Sequence, residues 1–140
     1  MLDDNGIRDL LKEIKVIALV GASPKAERPS FQVMQFLQNK GYRVIPVNPG
    51  LAGQILNGET VVGSLAEVPA PCDMVDIFRA PEAAGMVSDE AVRLAAEKGF
   101  KAVWMQLNIR HDEAAARAEA AGLSVVMDRC PKIEYPRLVG

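Results

Sequence analysis

The stretch VIALVGASPKAERPSFQVM, residues 16–34, decides the fold. Its first five residues, Val16 to Val20, are apolar at every position, too short for a helix and without the alternation of a strand that has one wet face. They describe a strand covered on both sides. Gly21 follows, a residue whose missing Cβ permits a sharp turn, and a helical pattern starts near Ser30. Strand, glycine turn and helix in this order are the opening of an α/β unit.

The same grammar continues along the chain. Runs of the same kind at residues 44–47, 74–78, 102–107 and 125–127 bring the strand candidates to five. Between them lie helical patterns. Residues 30–40 carry Val33, Phe36 and Leu37 and end at Gly41, while residues 81–98 open with Pro81, place Val87, Ala91, Leu94 and Ala95 on one face and end at Gly99. Residues 111–121 are alanine-rich and end at Gly122. Ahead of everything, Ile7, Leu10, Leu11 and Ile14 form one helical stripe, so residues 1–14 are expected as a helix packed on the outside of the domain, a stripe that would serve a homodimer equally well. Alternating strands and helices bury both strand faces only in a parallel sheet with helices on each side, joined by right-handed crossovers. Residues 48–72, broken by Pro49, Gly50, Gly53, Gly58 and Gly63, read as a connection with one short helix near residues 64–68. No repeat or linker divides the 140 residues, which form a single domain.

Composition narrows the function. At 49% hydrophobic and 24% charged residues, disorder and collagen-like structure are excluded. No apolar run reaches the roughly 20 residues of a membrane span, and Asp3, Asp4 and Asp9 contradict a signal peptide, so a soluble, cytoplasmic protein with no membrane role is expected. With 16 basic and 18 acidic residues the net charge is −2, leaving no broad positive surface for nucleic acid. An anionic ligand must be held locally. Cys72, Cys130 and the single histidine, His111, match neither a zinc site nor a disulfide framework, so no metal is expected and a reducing compartment fits.

The loop after the first strand supplies such a local site. Gly21 would let a phosphate approach the main-chain N–H groups, Ser23 offers a hydroxyl, and Lys25 and Arg28 add cations. Only one glycine stands where the dinucleotide fingerprint has three, and the same residues also suit a plain tight turn. The second strand ends in Asn48-Pro49 rather than in the carboxylate that binds the ribose hydroxyls of NAD. That favours a nucleotide with extra phosphate, although Asn48-Pro49 also reads as a simple turn. Asp76, inside the strand DMVDIF, is expected to be a satisfied structural aspartate, and His111 a polar residue of a helix's first turn. In the tail, Asp128, Arg129, Cys130, Lys132 and Glu134 follow the fifth strand at reach of the crevice edge. There Cys130 is open to two readings: exchange with a ligand thiol, or the end of a strand with Arg129 paired to a neighbouring carboxylate.

The blocks VIALVGASPKAERPSFQVMQFLQNKGYRVIPVNP, DMVDIFR, AVWMQL and VVMDRCPKIEYPRL, in this order over about residues 10–138, resemble the small stand-alone CoA-binding proteins of bacteria. Those resemble in turn the CoA-binding domain of the succinyl-CoA synthetase alpha subunit. The resemblance implies a Rossmann-like fold with sheet order 3-2-1-4-5 and coenzyme A across the carboxyl ends of the strands. By the same resemblance Gly21, Ala22, Ser23 and Pro24 would meet the pyrophosphate, Lys25 and Arg28 the phosphates, and Val47, Asn48 and Pro49 the adenosine side. Phe78 and Arg79, with Gln106 and Asn108 further on, would flank the pantetheine arm. The synthetase's phosphorylated histidine belongs to a second domain that a chain of this length does not contain, so ligase activity is not implied. The expectation is a non-catalytic binder of CoA or acyl-CoA, open to a protein partner or homo-oligomer, and the alternative is a small NAD(P)-binding or acyl-transfer enzyme using the same cleft. The missing acid at Asn48 argues against NAD, and no Ser-His-Asp or Cys-His set supports acyl transfer.

Overall fold

The structure, a computed structural model, describes residues 1–140. Five parallel strands form its centre: β1 (Val16–Val20), β2 (Arg43–Val47), β5 (Met74–Ile77), β6 (Ala102–Met105) and β7 (Ser124–Val126). A two-residue antiparallel pair, β3 (Ile55–Leu56) and β4 (Glu59–Thr60), stands apart in the connection after β2. The helices are α1 (Asp4–Glu13), α2 (Pro29–Asn39), α3 (Pro81–Lys98), α4 (Asp112–Ala120) and α5 (Pro131–Leu138).

Strand side chains alternate between two cores. Ile17, Leu19, Met74 and Trp104 face one side, where α1, α2 and α5 lie, while Ala18, Val20, Val75 and Val103 face α3 and α4. The small residues Ala84 and Ala91 of α3 and Ala115 and Ala118 of α4 let these two helices sit close to the sheet. The α1 stripe is covered by its own chain: Ile7, Leu10, Leu11 and Ile14 are all buried. At about 1.5–3 kcal/mol for each large aliphatic side chain, that burial holds a ten-residue helix too short to persist alone in water. The stripe expected to serve core or dimer equally well is thus used by the core.

Two expectations change. Numbering the five strands of the sheet in chain order, the spatial order is 2-1-3-4-5 (β2-β1-β5-β6-β7), not 3-2-1-4-5. Outside β2 only Val62 pairs, in a single parallel bridge to Val47, with Val62 N–H donating to the Pro46 carbonyl at 3.0 Å. The chain then returns to the far side of β1, because the four buried residues of β5 need covering on both faces and find it only inside the sheet. The second change is α5, a helix where the sequence pattern suggests only a tail: Pro131 starts it instead of ending a strand. The 3₁₀ turn at Leu65–Glu67 falls where a short helix is expected.

Candidate functional site

The carboxyl ends of the strands open into a cavity of about 700 Å³. Its walls come from every loop at that end: Gly21, Ala22, Ser23, Lys25 and Arg28 after β1, Asn48 after β2, Phe78 and Arg79 after β5, Gln106 and Asn108 after β6, and Cys130 after β7. Ten of the thirteen residues expected to bind cofactor therefore meet in one place. β1 is where the chain switches sides, its two neighbours β2 and β5 coming from opposite directions, and open α/β sheets form ligand crevices at such a point.

Gly21 is required here for packing. Its φ is +93°, and a Cβ would overlap the Phe78 carbonyl oxygen. The N–H groups of Gly21 and Ala22, expected to face a phosphate, both point to the Val47 carbonyl, at 3.1 and 3.4 Å. The free donors are displaced along the chain. α2 has no side-chain cap, and the N–H groups of Ser30 and Phe31 in its first turn have no acceptor within the protein. Partial positive charge at the start of this helix thus faces the cavity wall that Pro29 and Ser30 form.

The side chains add to it. Lys25, Arg28 and Arg79 are exposed, line the cavity and join no ion pair. No carboxylate lines it; Glu27, within the same loop, stays outside. A chain of net charge −2 thus gathers three unpaired cations and an uncapped helix start around one opening, an arrangement suited to several phosphate groups.

Pro24, Val47 and Pro49 are not in the wall. Pro24 is exposed in the loop, Val47 is buried and gives its carbonyl to the Gly21 turn, and Pro49 begins a 3₁₀ turn. Asn48 caps that turn, accepting from Gly50 N–H at 2.8 Å, and donates to the Ala22 carbonyl at 2.8 Å, tying the β1 and β2 loops together. In the tail only Cys130 reaches the cavity. Asp128 accepts from Asn108 N–H at 2.7 Å, and Arg129 pairs with Glu134 at 3.1 Å. Lys132 is exposed elsewhere. Sequence reasoning missed Pro29, Ser30, Ala80, Leu107 and Ile109. The anion-binding tendency of a helix start points to Ser30, whereas Leu107 reads as part of a strand that in fact stops at Met105.

Outside the cavity wall, His111 caps α4, its Nδ1 accepting from Ala114 N–H at 3.1 Å. Asp76 is not satisfied as expected: it is fully buried in β5, and neither carboxyl oxygen has a hydrogen-bond partner of acceptable geometry. Burial holds that carboxyl well above the usual range, outweighing the opposite pull of the neighbouring Ile77 amide. The Cys72 thiol, equally enclosed, is pushed up to about 12 by burial. No group of metal-ligating side chains exists in the structure, and no helix is long and apolar enough to cross a membrane.

Known proteins share this architecture. An uncharacterised protein of Bacillus subtilis, YneT, is 33% identical over 129 residues, covering 92% of this chain and 91% of its own. A hypothetical protein from Pyrococcus horikoshii superimposes with a TM-score of 0.89 at 40% identity, over 99% of this chain and 94% of that one. A protein from Thermus thermophilus does so with a TM-score of 0.89 at 39% identity, over 98% and 99%. These likenesses establish the Rossmann-like fold. Residues 15–136, the span that runs from the foot of β1 into α5 and supplies the whole cavity wall, match the CoA binding domain family, to which this chain belongs.

Proposed function

We propose that the protein is a non-catalytic, cytoplasmic binder of coenzyme A or acyl-CoA, holding the ligand across the carboxyl ends of the strands. The observation that carries this reading is the charge of the cavity: Lys25, Arg28 and Arg79 with no carboxylate beside them. CoA is the nucleotide of its family that best suits such a wall, because a diphosphate and a 3′-phosphate need several cations, and the uncapped start of α2 adds two N–H donors. The pyrophosphate lies at Ser23, Ser30 and Arg28, and the pantetheine arm runs past Phe78 toward Gln106 and Asn108. A binding role is supported over catalysis because His111 is engaged in capping α4 and Asp76 does not line the cavity. No acid–base pair is therefore offered to a reacting group.

Thermal melting with CoA, 3′-dephospho-CoA, acetyl-CoA, NAD and NADP at matched concentrations tests this. A ligand at 100 times its dissociation constant adds about 2.7 kcal/mol of stability. CoA and acetyl-CoA should shift the midpoint most, with 3′-dephospho-CoA less effective and NAD least. Equal shifts with NAD and CoA would overturn the assignment, and turnover of acetyl-CoA by the purified protein would replace the binding role by the acyl-transfer alternative.

A further inference from the structure

We propose that Cys130 is a thiol-exchange site through which the cavity captures the disulfide form of CoA as a protein mixed disulfide; this deepens the CoA reading above and rests on it. Cys130 is 8% exposed and lines the cavity. Its position is fixed from the preceding residue: the Arg129 carbonyl accepts from Trp104 Nε1 at 2.8 Å, and Arg129 N–H reaches toward the Met105 carbonyl at 3.4 Å. Both anchors belong to β6, so Cys130 stands by the end of the strand two places from β1 and its phosphate-facing loop. Two strand spacings are about 10 Å. The pantetheine arm, roughly as long as four residues of extended chain, spans about 14 Å. A thiol carried on that arm reaches Cys130 with slack for a bend.

A second residue at the same strand end points to an arm lying there. Gln106 lines the cavity, is 5% exposed, and its Oε1 has no hydrogen-bond partner. A buried amide oxygen without a donor is costly and uncommon. The pantetheine arm carries amide N–H groups that suit it. The other cysteine provides an internal contrast, since Cys72 is fully buried and does not line the cavity.

The exchange step is balanced without another oxidant. The Cys130 thiol gives up its proton, and its sulfur attacks one sulfur of the CoA disulfide. That S–S bond breaks, a Cys130–S–S–CoA bond forms, and the second CoA departs as a thiolate that takes up a proton. One disulfide is consumed and one is made.

The test is intact mass spectrometry and peptide mapping of the full chain incubated with CoA disulfide, glutathione disulfide or the disulfide of pantetheine. The expected result is one CoA per chain, mapped to Cys130, released by dithiothreitol and absent from Cys130→Ser and Cys130→Ala. It should form at least about tenfold faster than the glutathione adduct, because binding holds the disulfide beside the thiol. No adduct, an adduct on Cys72, or equal rates with all three disulfides would overturn the proposal. Calorimetry with reduced CoA separates this from the reading beneath it. Normal affinity in the wild type and in Cys130→Ser, together with no exchange, removes the exchange site alone. No affinity in the wild type removes both. Peptide mapping on the wild-type chain locates the adduct even if a variant folds poorly.

Discussion

Gly21 is held by two independent constraints, a left-handed backbone at φ +93° and the Phe78 carbonyl filling the space where a side chain would begin. The Gly21→Ala change should therefore lower stability by about 2–5 kcal/mol, the sum of the left-handed cost and overpacking, as read by urea denaturation without ligand. A loss below about 0.5 kcal/mol would place it with ordinary surface changes. Asp76 is held against its own chemistry. Its folded-state pKa lies well above 3.8, so the native state keeps the proton longer than the unfolded chain does. Its stability contribution is fully present below the unfolded value and is lost as pH rises toward the folded value. The Asp76→Asn variant, which cannot ionise, should be more stable than wild type at pH 7 by about 1–3 kcal/mol, with the gain shrinking toward pH 4. A gain that is constant with pH would show that ionisation has no part in it. The expectation of a satisfied aspartate failed because hydrogen-bond partners for a strand side chain come from other elements, which the local string DMVDIF does not contain.

At the scale of elements, α5 and α1 are joined by charge as well as by packing. Glu134, 4% exposed, meets Arg129 at 3.1 Å and Arg137 at 2.9 Å, and Arg137 also reaches Asp4 of α1 at 2.8 Å. Hydrogen bonds that Arg137 donates to Asp4 and Glu134 hold its guanidinium protonated even more firmly than usual. Removing Glu134 leaves two arginines that are each nearly half exposed and regain water, so Glu134→Ala should cost about 1–2 kcal/mol, less than breaking a wholly buried pair. Amide exchange should accelerate in α1 and α5 before the sheet responds. Exchange that speeds equally everywhere would argue against a local clamp. α5 was illegible for a related reason: Cys130, Glu134 and Leu138 lie four apart on its inner side, so a charge interrupts the stripe. Pro131 and Pro136 also read as breaks, although Pro131 occupies the first helical position, where proline is harmless. The β3–β4 turn carries a plain local signal. Asn57-Gly58, with φ of 49° and 82°, is the pair favoured in a two-residue hairpin turn.

Across the whole molecule, the sheet gathers loops that are far apart in sequence, which explains what the chain alone revealed. The five strands were readable because each is a dense apolar run, and the loop residues because they follow those runs. Their order in space was not, since the pairing of β5 with β1 depends on a return path through the irregular residues 48–72. For the same reason the cavity's charge emerges only after folding, when Arg79 from a later loop joins Lys25 and Arg28. The Arg28→Ala variant should weaken CoA binding by about 1.5–3 kcal/mol, the usual worth of a hydrogen bond to a charged group, while leaving ligand-free stability within about 0.5 kcal/mol. Titration calorimetry at two salt concentrations checks this, because losing a phosphate contact should also flatten the salt dependence. Unchanged affinity would take Arg28 out of the site.

Trp104 is the chain's one tryptophan, and its indole is tied to the carbonyl that leads directly into Cys130. The molecule consequently carries its own optical reporter beside the cavity. A disulfide formed at Cys130 should dim ultraviolet-excited emission, and reduction should restore it, so occupancy can be followed in real time without a label.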